Sequence, residues 1–169
     1  TGTRQAKLPA GDGAARDWFG LSVALDGDTA LVGARGDDVG ANSDQGSAYV
    51  FTRSGATWTQ QAKLVAGDGA EGDYFGTSVA LDGDTTLVGA TYDDVSSSNQ
   101  GSAYVFTRSG SAWIQQAKLT AGDAAAGDLL GRSVALDGDT ALVGAYTDDV
   151  GAISDQASAY VFTHSGSTW

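Results

Sequence analysis

The 169-residue chain has no cysteine, no methionine, one histidine and one proline, Pro9. The lack of cysteine excludes a disulfide framework and thiol chemistry; it leaves the compartment open. Basic residues are also scarce. Nine Lys and Arg stand against 21 Asp and Glu, for a formal charge of −12. Nucleic acids and anionic membrane surfaces both require a basic face, so neither is expected as a partner. A divalent cation, a basic partner or simple solubility suits this charge. No run of 18 apolar residues exists to cross a bilayer as a helix, and no charged-then-apolar leader is visible. With Thr1 first and no methionine, the chain is expected to be an excised or processed piece.

Glycine is abundant, at 25 residues without collagen periodicity, which points to many tight turns. Apolar residues make up 41 %, enough for a core. Internal repetition dominates the rest. SVALDGDTALVGA at Ser22 to Ala34 recurs letter for letter at Ser133 to Ala145, and with one change, Thr86, in the middle copy. QAKL begins at Gln5, Gln61 and Gln116, SAYVFT at Ser47, Ser102 and Ser158, and DDV at Asp37, Asp93 and Asp148. The period is 55 or 56 residues. The repeats run approximately over 2–57, 58–112 and 113–169.

Each repeat carries four strand candidates and no 3.6-residue periodicity. In the first they are Ser22 to Leu25, Ala30 to Ala34, Ser47 to Thr52 and about Thr57 to Leu64. Asp26-Gly27 predicts a type I′ hairpin between the first two, since glycine supplies positive φ without steric cost. Arg53-Ser54-Gly55 predicts the turn between the third and fourth. The first three strands are apolar or small on both faces and should be covered on both. The fourth is half polar, as an exposed edge strand is. A four-stranded antiparallel meander at this period describes a blade of an all-β propeller.

Phe19-Gly20 and Phe75-Gly76, followed by Gly33-Ala34 and Gly89-Ala90, resemble the FG-GAP repeat. That repeat builds the β-propeller of integrin α-chains, and bacterial FG-GAP proteins are similar. The resemblance spans essentially the whole chain. It implies an extracellular or cell-surface, bacterial-type binding scaffold. Two departures stand out. The third copy has Leu130-Gly131, and Arg35, Thr91 and Tyr146 replace the proline that follows Gly-Ala. A third concerns calcium, which integrin blades bind through a DxDxDG-type loop between strands one and two. Here that joint is a two-residue hairpin, too short to wrap an ion that needs six to eight oxygens. No cofactor is therefore expected.

Three blades are too few to close a ring. The expected assembly is a homodimer, two half-propellers giving six blades. Arg4 to Leu8 reads as an orphan outer strand able to complete the third blade of a partner, because that blade has no fourth strand after Trp169. The alternative is a cut from a longer propeller.

The two longer joints of each repeat fall on one face. They gather Asp12, Asp17, Asp37, Asp38 and Asp44, then Asp68, Asp73, Asp93 and Asp94 with Asn99, then Asp123, Asp128, Asp148, Asp149 and Asp155. These are the candidate metal ligands, or a surface for a protein or glycan. Recurrence in every copy favours the simpler role of capping loop backbone N–H groups. Arg35-Gly36-Asp37 spells an adhesion tripeptide in one copy only, which chance plus a fixed Asp explains. Trp58, Trp113 and Trp169 are of a type that stacks on sugars, but their regular position favours packing anchors; the same holds for Trp18 and Tyr74. His164 stands where other copies have Arg53 and Arg108, so it reads as a hairpin residue rather than a general base. No nucleophile–histidine–acid set emerges. The chain is therefore read as a non-enzymatic scaffold, with a calcium-binding module or an accessory domain of a carbohydrate-active enzyme as alternatives.

Overall fold

The computed structural model describes residues 2–169. Its described residues contain eleven strands and no helix. Blade one comprises β1 (Val23–Asp26), β2 (Thr29–Ala34), β3 (Ser47–Ser54) and β4 (Thr57–Leu64), paired antiparallel in that order. Blade two repeats it with β5 (Phe75–Asp82), β6 (Thr85–Ala90), β7 (Ser102–Ser109) and β8 (Ala112–Leu119). Blade three has three strands, β9 (Leu130–Asp137), β10 (Thr140–Ala145) and β11 (Ser158–Thr163). The three sheets stack in sequence as an open arc.

The turn chemistry differs from the sequence reading in one detail. Asp26 pairs with Thr29, so the two loop residues are Gly27 and Asp28, not Asp26 and Gly27. Gly27, Gly83 and Gly138 have φ of 52°, 54° and 52°, and the aspartates after them stay at negative φ. Positive φ at only the first central residue is the signature of a type II′ turn. The strand simply continues one residue further, through the Asp. Likewise β3 runs through Ser54, leaving Gly55 and Ala56 as the second hairpin loop.

Arg4 to Leu8, expected as an outer strand, forms none in the single chain. Leu8 instead packs with Phe19 and Trp58 against a cluster on blade one that contains Tyr49 and Phe51.

The Phe-Gly and Gly-Ala signatures explain themselves at the joints between blades. Phe75 bridges to Gly46 across the joint, and its N–H donates to the Gln45 carbonyl at 2.9 Å. Its ring meets Tyr104 and Phe106 edge-on at 5.5 and 6.0 Å. Gly76 lies at φ 91°, and the backbone there runs so close to blade one that a Cβ on Gly33 would overlap the Gly76 carbonyl oxygen. Ser22 Oγ donates to that same carbonyl at 2.8 Å. Blade two repeats the joint onto blade three, with Ser78 and Gly131. Leu130 replaces the phenylalanine there without loss of burial, because the position is an apolar plug.

Candidate binding face of the acidic loops

Both long joints of each blade lie at one end of its strands, and their aspartates divide into three jobs. The first is local capping. Asp17, Asp73 and Asp128 each accept a hydrogen bond from the backbone N–H three residues earlier, on Ala14, Ala70 and Ala125, at 2.5, 2.6 and 2.6 Å. The second is closing the loop between strands two and three. Asp38 accepts from Asp44 N–H, Asp94 from Asn99 and Asp149 from Asp155, at 2.9, 2.6 and 2.8 Å. Asp44, Asn99 and Asp155 all sit in the left-handed region, at φ 53°, 53° and 54°, where short polar side chains are tolerated best.

The third job is a clamp. Lys63 reaches from the outer strand to Asp12 and Asp37, at 2.7 Å each. The Tyr49 hydroxyl donates to the same carboxylates, at 2.8 and 3.2 Å. Blade two repeats this with Lys118 on Asp68 and Asp93, both at 2.7 Å, and with Tyr104 at 2.9 and 3.0 Å. Ser102 Oγ adds a third donor to Asp93. Blade three has Tyr160 on Asp123 and Asp148, at 2.9 and 3.1 Å, and Ser158 on Asp148, but among the described residues no lysine.

The electrostatics follow from this wiring. The Lys63 hydrogen bond holds Asp12 below the ordinary carboxylate range. Burial works to raise Asp68, but Lys118 and Tyr104 outweigh it and the net shift is downward. Burial also opposes the charge on Lys63 and Lys118; their paired carboxylates override it and raise both ammonium groups. Burial pushes the Tyr49 and Tyr160 hydroxyls up to about 12. Asp73 behaves differently. Burial, reinforced by Asp93 and Asp94, lifts it to about 6.

The sequence reading gathered these aspartates on one face and missed the lysine and tyrosine that bind them. The signal was present: Lys recurs in every QAKL and Tyr in every SAYVFT. Arg35-Gly36-Asp37 is not presented for adhesion. The Arg35 guanidinium lies over Trp18 and Tyr74, at 4.7 and 5.5 Å, and Asp37 is 4 % exposed inside the clamp. Trp58 and Trp113 pack against the core clusters, each under an arginine of the strand three–four hairpin. His164 lies at the equivalent hairpin, stacked on Trp169 and 3.2 Å from Asp139.

Three matched segments, 3–51, 58–106 and 113–162, each fit the FG-GAP repeat. The chain belongs to the FG-GAP repeat family. No curated protein matches it. Many carboxylates of this FG-GAP chain already have protein partners. At the strand one–two hairpins, Asp26 and Asp82 accept from Gly83 and Gly138 N–H of the next blade, and Asp28 and Asp84 pair with Arg53 and Arg108. On the loop face the clamp and capping carboxylates are held as described. Among the described residues, no three or more His, Asp or Glu side chains form a group able to hold a metal ion.

What these FG-GAP loops leave open is a cleft of about 540 Å³ on blade two. Glu71, Asp73, Tyr92, Asp94 and Asn99 line it, with the Lys118 clamp at its side. Tyr92 contacts Tyr74 edge-on at 5.3 Å and stays partly exposed. An aromatic edge beside carboxylate and amide groups can take hydroxyl or ammonium donors from a ligand.

Proposed function

We propose that this chain is a non-enzymatic β-propeller scaffold that binds a protein or glycan on its acidic loop face and assembles with a second copy through strand exchange. The blade-two cleft carries the binding reading: a concave site with one exposed aromatic and several acceptors is the form a sugar- or amine-recognising pocket takes. The non-enzymatic reading is supported by the engagement of the titratable side chains. The clamp aspartates are tied to lysine or tyrosine, and His164 sits on a hairpin with Trp169 and Asp139. An extracellular or cell-surface location accords with the family resemblance.

The test is a glycan and peptide array read beside a glycosidase panel, with the wild type and Tyr92→Ala. Specific array binding lost on Tyr92→Ala is the expected result. Turnover on the panel would replace the scaffold reading with that of an enzyme domain. Binding unchanged by Tyr92→Ala would move the ligand away from this cleft.

A further inference from the structure

Several letters found only in blade two converge on its cleft. Internal copies separate fold from function here, because what folding needs recurs in all three. Glu71 stands where the sister blades have Ala15 and Ala126, and Tyr92 where they have Gly36 and Thr147. The loop from strand two to strand three is one residue shorter, with Ser96-Ser97-Ser98 in place of Gly40-Ala41-Asn42-Ser43 and Gly151-Ala152-Ile153-Ser154. In the longer loops Val39 bridges Asn42 and Val150 bridges Ile153, a small turn with no counterpart in blade two among the described residues. In its place a second hollow, of about 320 Å³, runs along Asp94 to Ser98 and shares Asp94 and Val95 with the main cleft. Blade one does not hold the same site. A Cβ on Gly36 would overlap the Arg16 carbonyl oxygen, so no tyrosine fits there without a shift of that backbone.

The cleft is short of a donor. Asp73 is 5 % exposed, and only its Oδ2 is engaged, by Ala70 N–H; its Oδ1 meets no donor among the described residues, and the side chain lines the cleft. A buried carboxylate oxygen without a partner is destabilising, and a ligand N–H that reaches it offsets that penalty. The nearby cation, Lys118, is engaged by Asp68 and Asp93 at 2.7 Å. Burial, with Asp93 and Asp94 adding to it, lifts the Asp73 carboxyl to about 6, the mark of the same shortage of positive charge. A ligand that brings a positive charge is therefore favoured over a neutral one, and an anion is refused.

The rest of the wall suits a hydroxylated ring. Asn99 uses its backbone N–H on Asp94 and keeps its side-chain amide free, and Glu71 and the Tyr92 hydroxyl make no hydrogen bond among the described residues. Tyr92 is 38 % exposed and held edge-on by Tyr74, which leaves ring surface for the C–H groups of a sugar. A lysine side chain would use the carboxylate and the ring but neither Asn99 nor Glu71. We propose that the blade-two cleft binds an amino sugar, its ammonium group donating to Asp73 Oδ1, its ring against Tyr92 and its hydroxyls on Glu71 and Asn99. The inference rests on the binding reading above and deepens it by naming the ligand class. The serine-lined hollow beside the cleft extends the site to the next sugar of a chain.

The test is calorimetric titration of the 169-residue chain near pH 6.5, where an amino group is charged. The probes are methyl glucosaminide, methyl glucoside and the amide of N-acetyl-lysine. The glucosaminide should bind at least about tenfold more tightly than either of the others, as a charge-assisted hydrogen bond allows. Asp73→Asn keeps an oxygen for Ala70 N–H and turns an amide donor toward the ligand. It should weaken the glucosaminide about tenfold to a hundredfold and leave the glucoside nearly unchanged. Asp17→Asn, the same change in blade one, should alter neither. The wild-type panel decides the matter even if Asp73→Asn does not fold. Equal binding of glucosaminide and glucoside, or a glucosaminide indifferent to a folded Asp73→Asn, would overturn the ammonium seat while leaving a glycan site standing. A lysine amide bound as tightly as the glucosaminide would overturn the sugar in favour of a basic peptide. If the glucosaminide does not bind but an array ligand is lost on Tyr92→Ala, this inference fails and the binding reading survives; if the array is blank as well, both fail.

Discussion

Blades two and three carry nearly the same letters and live in different surroundings. Leu87 and Leu142 occupy the same place in the same motif, but one is sealed beneath a neighbouring blade and the other faces solvent. Asp93 and Asp148 both accept from a tyrosine and a serine, but only Asp93 also has a lysine. Strand pairing inside a blade is local and is retained in both. What differs is everything a blade receives from the blade after it and from its own outer strand. Repeat architectures behave this way because each unit contacts only its neighbours, so end units lack half their stabilising surface.

The sharpest test of this comparison is Leu87→Ala beside Leu142→Ala. Removing the sealed side chain should cost about 3 kcal/mol in chemical denaturation, as buried leucines do, while the exposed one should cost less than about 1 kcal/mol. Equal losses would mean that Leu142 is covered in solution, as dimer closure requires, so the pair should be measured both below and above the association concentration.

Next in size is the clamp. Lys118→Met leaves Asp93 buried beside Asp68 without its cation and should cost about 2–3 kcal/mol, toward the low end for a broken buried pair because Lys118 is partly exposed. Lys7→Met should leave monomer stability unchanged, since Lys7 is exposed. If both variants melt alike, the clamp contributes nothing that separates the blades.

The pH response should carry two opposite signs. Asp12 and Asp68 have lowered folded values, so the stability they add is present above the ordinary carboxylate range and is lost as pH falls through it. Asp73 is raised to about 6, so the folded chain binds its proton more tightly than the unfolded chain does. Its contribution is present below the ordinary Asp value and is lost as pH rises through about 6, a change of up to about 3 kcal/mol. Asp73→Asn keeps an acceptor for Ala70 N–H and should remove that slope between pH 4 and 7.

The smallest expected effect is that of calcium. Millimolar calcium followed by a chelator should move Tm by less than about 1 °C, because binding to the folded chain alone is what raises it. A clear rise that is reversed by the chelator would restore the cation-binding reading.

Much of the fold was legible because it rests on short-range rules. Alternation in SAYVFT marks a strand, Asp-Gly marks a hairpin, and both recur at a fixed period. The turn type was misread because sequence alone does not say whether a strand ends before or after Asp26. The acidic face was legible from strand direction, but its wiring was not. Lys63 and Asp12 are 51 residues apart, and Tyr49 and Asp12 are 37 apart. Nothing along the chain links them until the sheet folds β3 and β4 beside the loop of Asp12.

The sequence by itself determined the units: three repeats, their strands, the loops that hold aspartates, and the positions that tolerate only glycine. Those are properties of a few neighbouring residues and their backbone angles. Only the tertiary structure decided which identical residues are buried, which aspartates hold a lysine, and which edge of the arc stays open. Burial and charge pairing depend on what another blade places alongside, and identical letters do not carry that information.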